Sequence, residues 1–318
     1  MYAKQAHIIL FLLLVGLPTL SWSQACCSGG TPLAANLGVA GIDSRQLALR
    51  LTYDYNTQRD LVSNTRKLDD DRRTRNTHAV LLQGRYGFSK RWSGILIFSW
   101  VRQEEENQSL TGASSFTKAE GIGDLIGLLQ YEALAKGDWR MQVAGGLKAP
   151  LGRTDVADEL TGFPLNADMQ PGTGSWDVLG VLNLSRENLF KPGLTLITTA
   201  TYRLTTEDLR FEGQQRYEFG NEWQILFGFS DQYVLGPRLF YPQLMVRYRQ
   251  TAIDLTNGFN TPNTGGEWVH LVPGFQLGLN EALQLNFAAE LPVFRKLRGT
   301  QLTTSYRMTA GMTYNLNL

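Results

Sequence analysis

From Gln301 to the C-terminus the chain alternates between two kinds of residue. Leu302, Thr304, Tyr306, Met308, Ala310, Met312, Tyr314, Leu316 and Leu318 fill the even positions. Gln301, Thr303, Ser305, Arg307, Thr309, Gly311, Thr313, Asn315 and Asn317 fill the odd ones. A period of two places these sets on opposite faces of an extended strand, one apolar and one polar. Strands of soluble domains rarely run so long, the usual length being about 5–6 residues. The pattern returns elsewhere. Leu47, Leu49, Leu51, Tyr53 and Tyr55 oppose Gln46, Arg50, Thr52, Asp54 and Asn56. Tyr217, Phe219, Trp223, Ile225 and Phe227 oppose Arg216, Glu218, Glu222 and Gln224. Val269, Leu271, Pro273, Phe275, Leu277 and Leu279 oppose Trp268, His270 and Gln276. Leu283, Leu285, Phe287, Ala289, Leu291 and Val293 oppose Gln284, Asn286 and Glu290. Residues 91–103 and 121–131 are apolar on both faces, so their orientation stays open.

Twelve strands are expected, over 45–57, 75–87, 91–103, 118–131, 138–149, 174–186, 192–205, 213–228, 238–251, 265–279, 282–293 and 301–315. The gaps after odd strands, such as 58–74 and 150–173, are long and polar; those after even strands, such as 88–90 and 280–281, are short. Transmembrane barrels have this asymmetry, with short periplasmic turns, longer exterior loops and an even strand number. The expected fold class is all-β, a transmembrane antiparallel up-and-down β-barrel over 45–318 with both termini on the periplasmic side. The charge runs at 58–74 and Glu104–Glu106 are expected in solvated loops. Trp92, Trp100, Trp139, Trp176, Trp223, Tyr233 and Trp268 fall near strand ends, where interfacial girdles lie.

Composition agrees. Of 318 residues 43% are apolar, yet only the N-terminus approaches the run of about 18–20 apolar residues that a spanning helix needs. Lys4 followed by the apolar stretch 8–16 and small residues reads as a cleaved signal peptide, 1–25. Residues 26–44 would form a periplasmic segment or a plug, and the mature chain is expected in the bacterial outer membrane. The net charge of +1 suggests no nucleic-acid partner. The two cysteines, Cys26 and Cys27, are adjacent, which disfavours a disulfide between them. An inert terminus, lipidation of Cys26 and soft-metal capture by both thiols stay open as readings.

No phosphate loop, dinucleotide fingerprint or metal-ligand cluster is present, and no cofactor is expected. The inward polar set is the candidate site. If the apolar faces meet lipid, Arg50, Asp54, Asp124, Arg140, Lys148, Asp177, Arg203, Glu218, Glu222, Arg247, Arg249, His270, Glu290 and Arg307 line the lumen. Charge is costly on the lipid face, whereas inside the barrel opposite signs can pair. Such a set reads as an ion-paired wall or as a narrow path for a small solute.

Some segments resemble a known family. Gly121-Ile122-Gly123-Asp124 with Tyr131, the run from Gly146 through Lys148 and Pro150 to Gly152, and Pro171-Gly172-Thr173-Gly174-Ser175-Trp176-Asp177 resemble motifs of transporter-like outer-membrane barrels. These are the group named for the meta-pathway of phenol degradation and, more distantly, the long-chain fatty-acid transporters. Asn263–Gly266, Leu291–Val293 and Gly299–Leu302 extend the resemblance over roughly 118–318. It implies a channel or transporter, with hydrophobic small molecules as cargo of some relatives, and an architectural role for Asp124, Lys148, Pro150, Gly172, Gly174 and Asp177. The expected function is passage of a small solute without chemistry, the resemblance pointing to a hydrophobic one. The expected partners are outer-membrane lipid, that solute and the assembly machinery. Two alternatives stand beside it: a barrel enzyme acting on lipid, which would need a Ser–His pair, and a non-transporting surface or metal-handling protein using Cys26 and Cys27.

Overall fold

Inside a bilayer every backbone N–H and C=O must find its partner within the protein, so a sheet can cross only if it closes on itself. The computed structural model, which describes residues 44–109, 112–208 and 215–317, shows that closure. Twelve antiparallel strands form the barrel: β1 (Gln46–Ser63), β2 (Arg73–Gly87), β3 (Trp92–Gln108), β4 in two pieces (Ser114–Ile122 and Leu125–Lys136), β5 (Trp139–Ala149), β6 (Asp177–Arg186), β7 (Thr195–Leu204), β8 (Glu222–Ser230), β9 (Arg238–Thr251), β10 (Gly266–Gly278), β11 (Leu283–Leu297) and β12 (Thr300–Asn317). Each pairs with its sequence neighbours. The circle is closed by β1 against β12, in register from Gln46↔Asn317 to Ser63↔Thr300.

The alternation maps onto two surfaces. Leu49, Leu51, Leu82, Leu96, Phe98, Leu129, Leu147, Leu182, Ile225, Phe227, Leu244 and Val246 project outward as an apolar band. Aromatic pairs bracket it. Trp92 and Tyr131 touch with ring centroids 4.7 Å apart at the end with short turns, and Tyr202 and Trp223 at 4.6 Å towards the other. The turn at 137–138 is tight and carries Gly137 at φ 58°, a left-handed backbone that glycine adopts without strain. The short turns mark the periplasmic end and the long connections the exterior one.

The two segments that could not be oriented resolve in a specific way. On β2 to β6 a level of inward positions is apolar too. Ala79, Leu81, Ile95, Ile97, Val101, Ile126, Leu128, Leu179 and Val181 form one buried cluster, with Ala144 packed against it. That part of the wall is apolar on both faces, outside for lipid and inside for packing. Polar inward residues dominate the remaining arc.

Three expectations need correction. The ladders rise beyond the expected ends at β2–β3, β3–β4, β10–β11 and β1–β12, so Glu104, Glu105 and Glu106 sit in a paired strand rather than a loop. Above the membrane both faces are wet, and the alternation that marks a strand fades there. The segment 213–228 is not one strand. Tyr217–Glu218 leaves the barrel and joins Glu207–Asp208, Leu255–Thr256 and Phe259–Asn260 in a small exterior sheet. Glu218 therefore does not line the lumen. Its alternation came from a different sheet, in which Tyr217 and Phe219 bury themselves against Ala167. Trp268 is not a girdle residue but points inward, 2% exposed, and donates from Nε1 to Thr303 Oγ1 at 3.0 Å. The signal peptide and nearly all of the 26–44 segment lie outside the described residues.

Leu96 projects to lipid between Trp92 and Trp100 on one strand and is 53% exposed. Leu96→Arg should cost about 2–4 kcal/mol of stability, the expected penalty for a cation near the bilayer midplane. Urea unfolding in lipid vesicles, followed by tryptophan fluorescence, measures it.

Candidate functional site

Inward positions at one level of successive strands carry charge, and they join into a belt. It begins at the break in β4, where the backbone leaves the ladder at Gly123-Asp124 and Gly123 N–H donates to the Ser99 carbonyl at 2.9 Å. This turns the Asp124 carboxylate inward, where it is fully buried. Lys148 of β5 reaches Asp124 Oδ2 at 2.8 Å and Asp177 Oδ2 of β6 at 3.1 Å. Arg203 of β7 lies 4.0 Å from Asp177 and 3.7 Å from Glu222 of β8. Arg249 of β9 holds Glu222 at 2.7 Å. On the same strand Arg247 pairs with Glu290 of β11, spanning β10, where His270 lies directly opposite Arg247. Arg307 of β12 lies 4.0 Å from Glu290 and grips Asp54 of β1 with two nitrogens, at 2.7–3.0 Å. Signs alternate along this line except at Arg247 and Arg249. Nearly all of these side chains are buried.

A buried ion needs its counter-ion, because desolvating a lone charge costs several kcal/mol. Pairing across strands is how a narrow polar lumen meets that demand. Asp124 shows the local logic. Besides Lys148, it accepts from the backbone N–H of Gly152 at 3.1 Å and from that of Thr173 at 3.0 Å. The Thr173 hydroxyl adds a third bond at 2.7 Å, and Lys148 also donates to the Ser175 carbonyl at 3.0 Å and to Thr173 Oγ1. The three sequence motifs thus meet in space. At their junction the backbones of Gly152 and Gly172 touch so closely that a Cβ on Gly152 would lie 2.5 Å from the Gly172 Cα. Glycine is required there by close approach.

The connection 150–176 between β5 and β6 folds into the exterior mouth. Its one-turn 3-10 helix, Ala167–Met169, carries Asp168 to the inward side chain of Arg75 on β2 at 2.7 Å, and Arg75 also holds Glu105. Gln103 of β3 donates to the Asp168 carbonyl at 3.0 Å. Gln170 stitches the loop to itself through Val156 and Leu165. Burial raises the Asp168 carboxyl above its ordinary range, against the pull of Arg75.

Below the belt the lumen holds a cavity of about 920 Å³. It runs from Arg247, Glu290 and Thr309 at the belt to Lys90 and Glu187 in the periplasmic turns. Arg50 and Arg140 line it, the latter 3.5 Å from Glu132 and 3.3 Å from Glu187. Among the described residues no hydrogen bond joins His270 to a serine, and its Nδ1 has no partner. Nor do the described residues contain a group of three or more side chains that could hold a metal. Cys26 and Cys27 lie outside them.

No family model matches the chain, and no curated protein does. Solved structures match its fold. An outer-membrane channel from Pseudomonas putida superposes with TM-score 0.65 at 12% identity, covering 86% of this chain and 97% of that one. The β domain of the Bordetella autotransporter BrkA reaches 0.51 at 11% identity, covering 86% and 100%. This chain is an outer-membrane β-barrel. The closed apolar band and the match in fold agree on it.

In this outer-membrane barrel the belt gathers ten of the charged residues named from sequence: Asp54, Asp124, Lys148, Asp177, Arg203, Glu222, Arg247, Arg249, Glu290 and Arg307. Arg50 and Arg140 stand apart in the cavity, and Glu218 lies outside the barrel wall. Sequence reasoning missed Arg75, Gln103 and Asp168, which hold the inserted loop. Arg75 sits at an odd position of the β2 alternation and could have been found by extending that pattern upward. Asp168 lies in a loop, where no period points to a partner.

Lys148→Met leaves Asp124 and Asp177 facing each other without their shared cation. The barrel should lose about 3–5 kcal/mol, the usual result of orphaning buried charges. Heat-modifiability on gels and urea midpoints report the loss. The triple change with Asp124→Asn and Asp177→Asn should recover part of it.

Proposed function

We propose that this barrel passes a small solute across the outer membrane without chemistry. The cavity below the belt carries this reading. About 920 Å³ falls within the usual size of small-molecule pockets, about 300–1,000 Å³. Its lining mixes amides and hydroxyls, such as Gln142, Asn183, Thr199 and Gln276, with Ile197, Leu226, Met245 and Val272. A solute with an apolar body and a few polar groups suits such a wall. The belt, balanced in sign, forms the inner restriction, and the inserted loop 150–176 the outer one. Paired charges of both signs favour neither cations nor anions strongly at that level. Passage without chemistry would follow the solute gradient. The fold shared with a P. putida outer-membrane channel supports the same reading.

Arg75 holds both Asp168 of the loop and Glu105 of β3. Arg75→Gln should release the loop and raise single-channel conductance in planar bilayers at least severalfold, with faster liposome swelling. Absence of conductance and of uptake for every solute tested, in wild type and variant alike, would remove the proposal.

A further inference from the structure

Arg50 differs from the cations of the belt and from Arg140. Lys148, Arg203, Arg247, Arg249, Arg307 and Arg140 each meet a carboxylate. No described carboxylate forms an ion pair with Arg50, whose Nε donates to the Thr313 hydroxyl at 3.1 Å. Directly opposite on β2 is the neutral Gln83, and one diagonal step beyond it is a second guanidinium, Arg85. Diagonal neighbours of this kind lie roughly 7–8 Å apart. Arg50 lines the cavity, and so does Lys90, which has no described ion pair either. The carboxylates of the lining are already engaged, Glu132 and Glu187 by Arg140 and Glu290 by Arg247. The lining thus holds four cations, Arg50, Lys90, Arg140 and Arg247, against three carboxylates, Glu132, Glu187 and Glu290, a surplus of one positive charge.

A half-buried guanidinium that faces the lumen with no described ion pair favours an anion from outside, and its planar fork matches a carboxylate. Across the lumen from β1, strands β7 to β10 present Ile197, Leu226, Met245 and Val272. We infer that the periplasmic half of the lumen is a docking site for a small organic anion, a carboxylate on a compact apolar skeleton, with Arg50 receiving the carboxylate. The inference rests on the passage reading only for how the anion reaches the site; docking itself is independent of flux.

Binding of cyclohexanecarboxylate and of its neutral carboxamide to the refolded full chain in uncharged detergent, followed by titration calorimetry, tests it. The carboxylate should bind at least tenfold tighter than the amide. Arg50→Gln should erase that preference, Arg50→Lys should keep most of it, and Leu226→Asn should weaken both probes alike. Heat-modifiability confirms that each variant is folded. Equal affinity for the two probes, a preference that survives Arg50→Gln, or no binding of the carboxylate overturns the inference. If the preference holds but bilayers show no conductance, passage fails and the site stands. Conductance without the preference gives the reverse.

Discussion

The whole architecture follows from one constraint: hydrocarbon offers no hydrogen bonds to a backbone. A sheet with an open edge cannot survive there, so the chain closes β1 on β12. Closure sets the period of two, because each strand then has lipid on one side and lumen on the other. It also fixes how narrow the inside is. With twelve strands the inward side chains reach one another, and each must suit its neighbours across the ladder. Charge inside becomes tolerable only when shared, and the belt from Asp124 to Asp54 is the result.

The two halves of the inner wall solve the same problem differently. Along β2 to β6 the middle of the lumen side is apolar and packs in the cluster around Ile97, Ile126 and Leu179, between polar levels that hold Arg75, Gln142, Lys148 and Asp177. From β7 to β12 and on to β1 it carries most of the ion pairs, with Ile197, Leu226, Met245 and Val272 on the periplasmic side of them. The two solutions meet at Asp124, where one carboxylate ties a broken strand, the end of β5 and the returning loop. The belt and the loop at the mouth are thus built on one junction.

Much of the barrel is legible in the sequence, since a period-two pattern depends only on which side of the ladder is wet. Most of the strands follow from that pattern together with the alternation of long and short connections, and the pattern marks Glu222, Arg247 and Glu290 as members of a polar face. What the pattern hides has physical causes. Ile95 and Ile97 alternate with Leu96 and Phe98, all apolar, because their inner face is dry as well. Glu105 looks like loop because the strand extends into water. Glu218 looked like lumen because a small exterior sheet has the same period. The pairing of Arg75 with Asp168 joins residues 93 apart and lies beyond local pattern. The motifs around Asp124, Lys148 and Asp177 marked three places on the chain, and only folding shows them to be one place.

The ladder between β1 and β12 also bears on how the molecule is made. Asp54 and Arg307, bonded across it, are separated by 253 positions of chain. Nothing can stand in for the last strand, because its partner is the first. A chain that stops early, or loses a hairpin, presents two raw edges instead of a seam and keeps its belt charges unmatched. Closure is therefore an inspection of the entire polypeptide, passed only when both ends are present and in step.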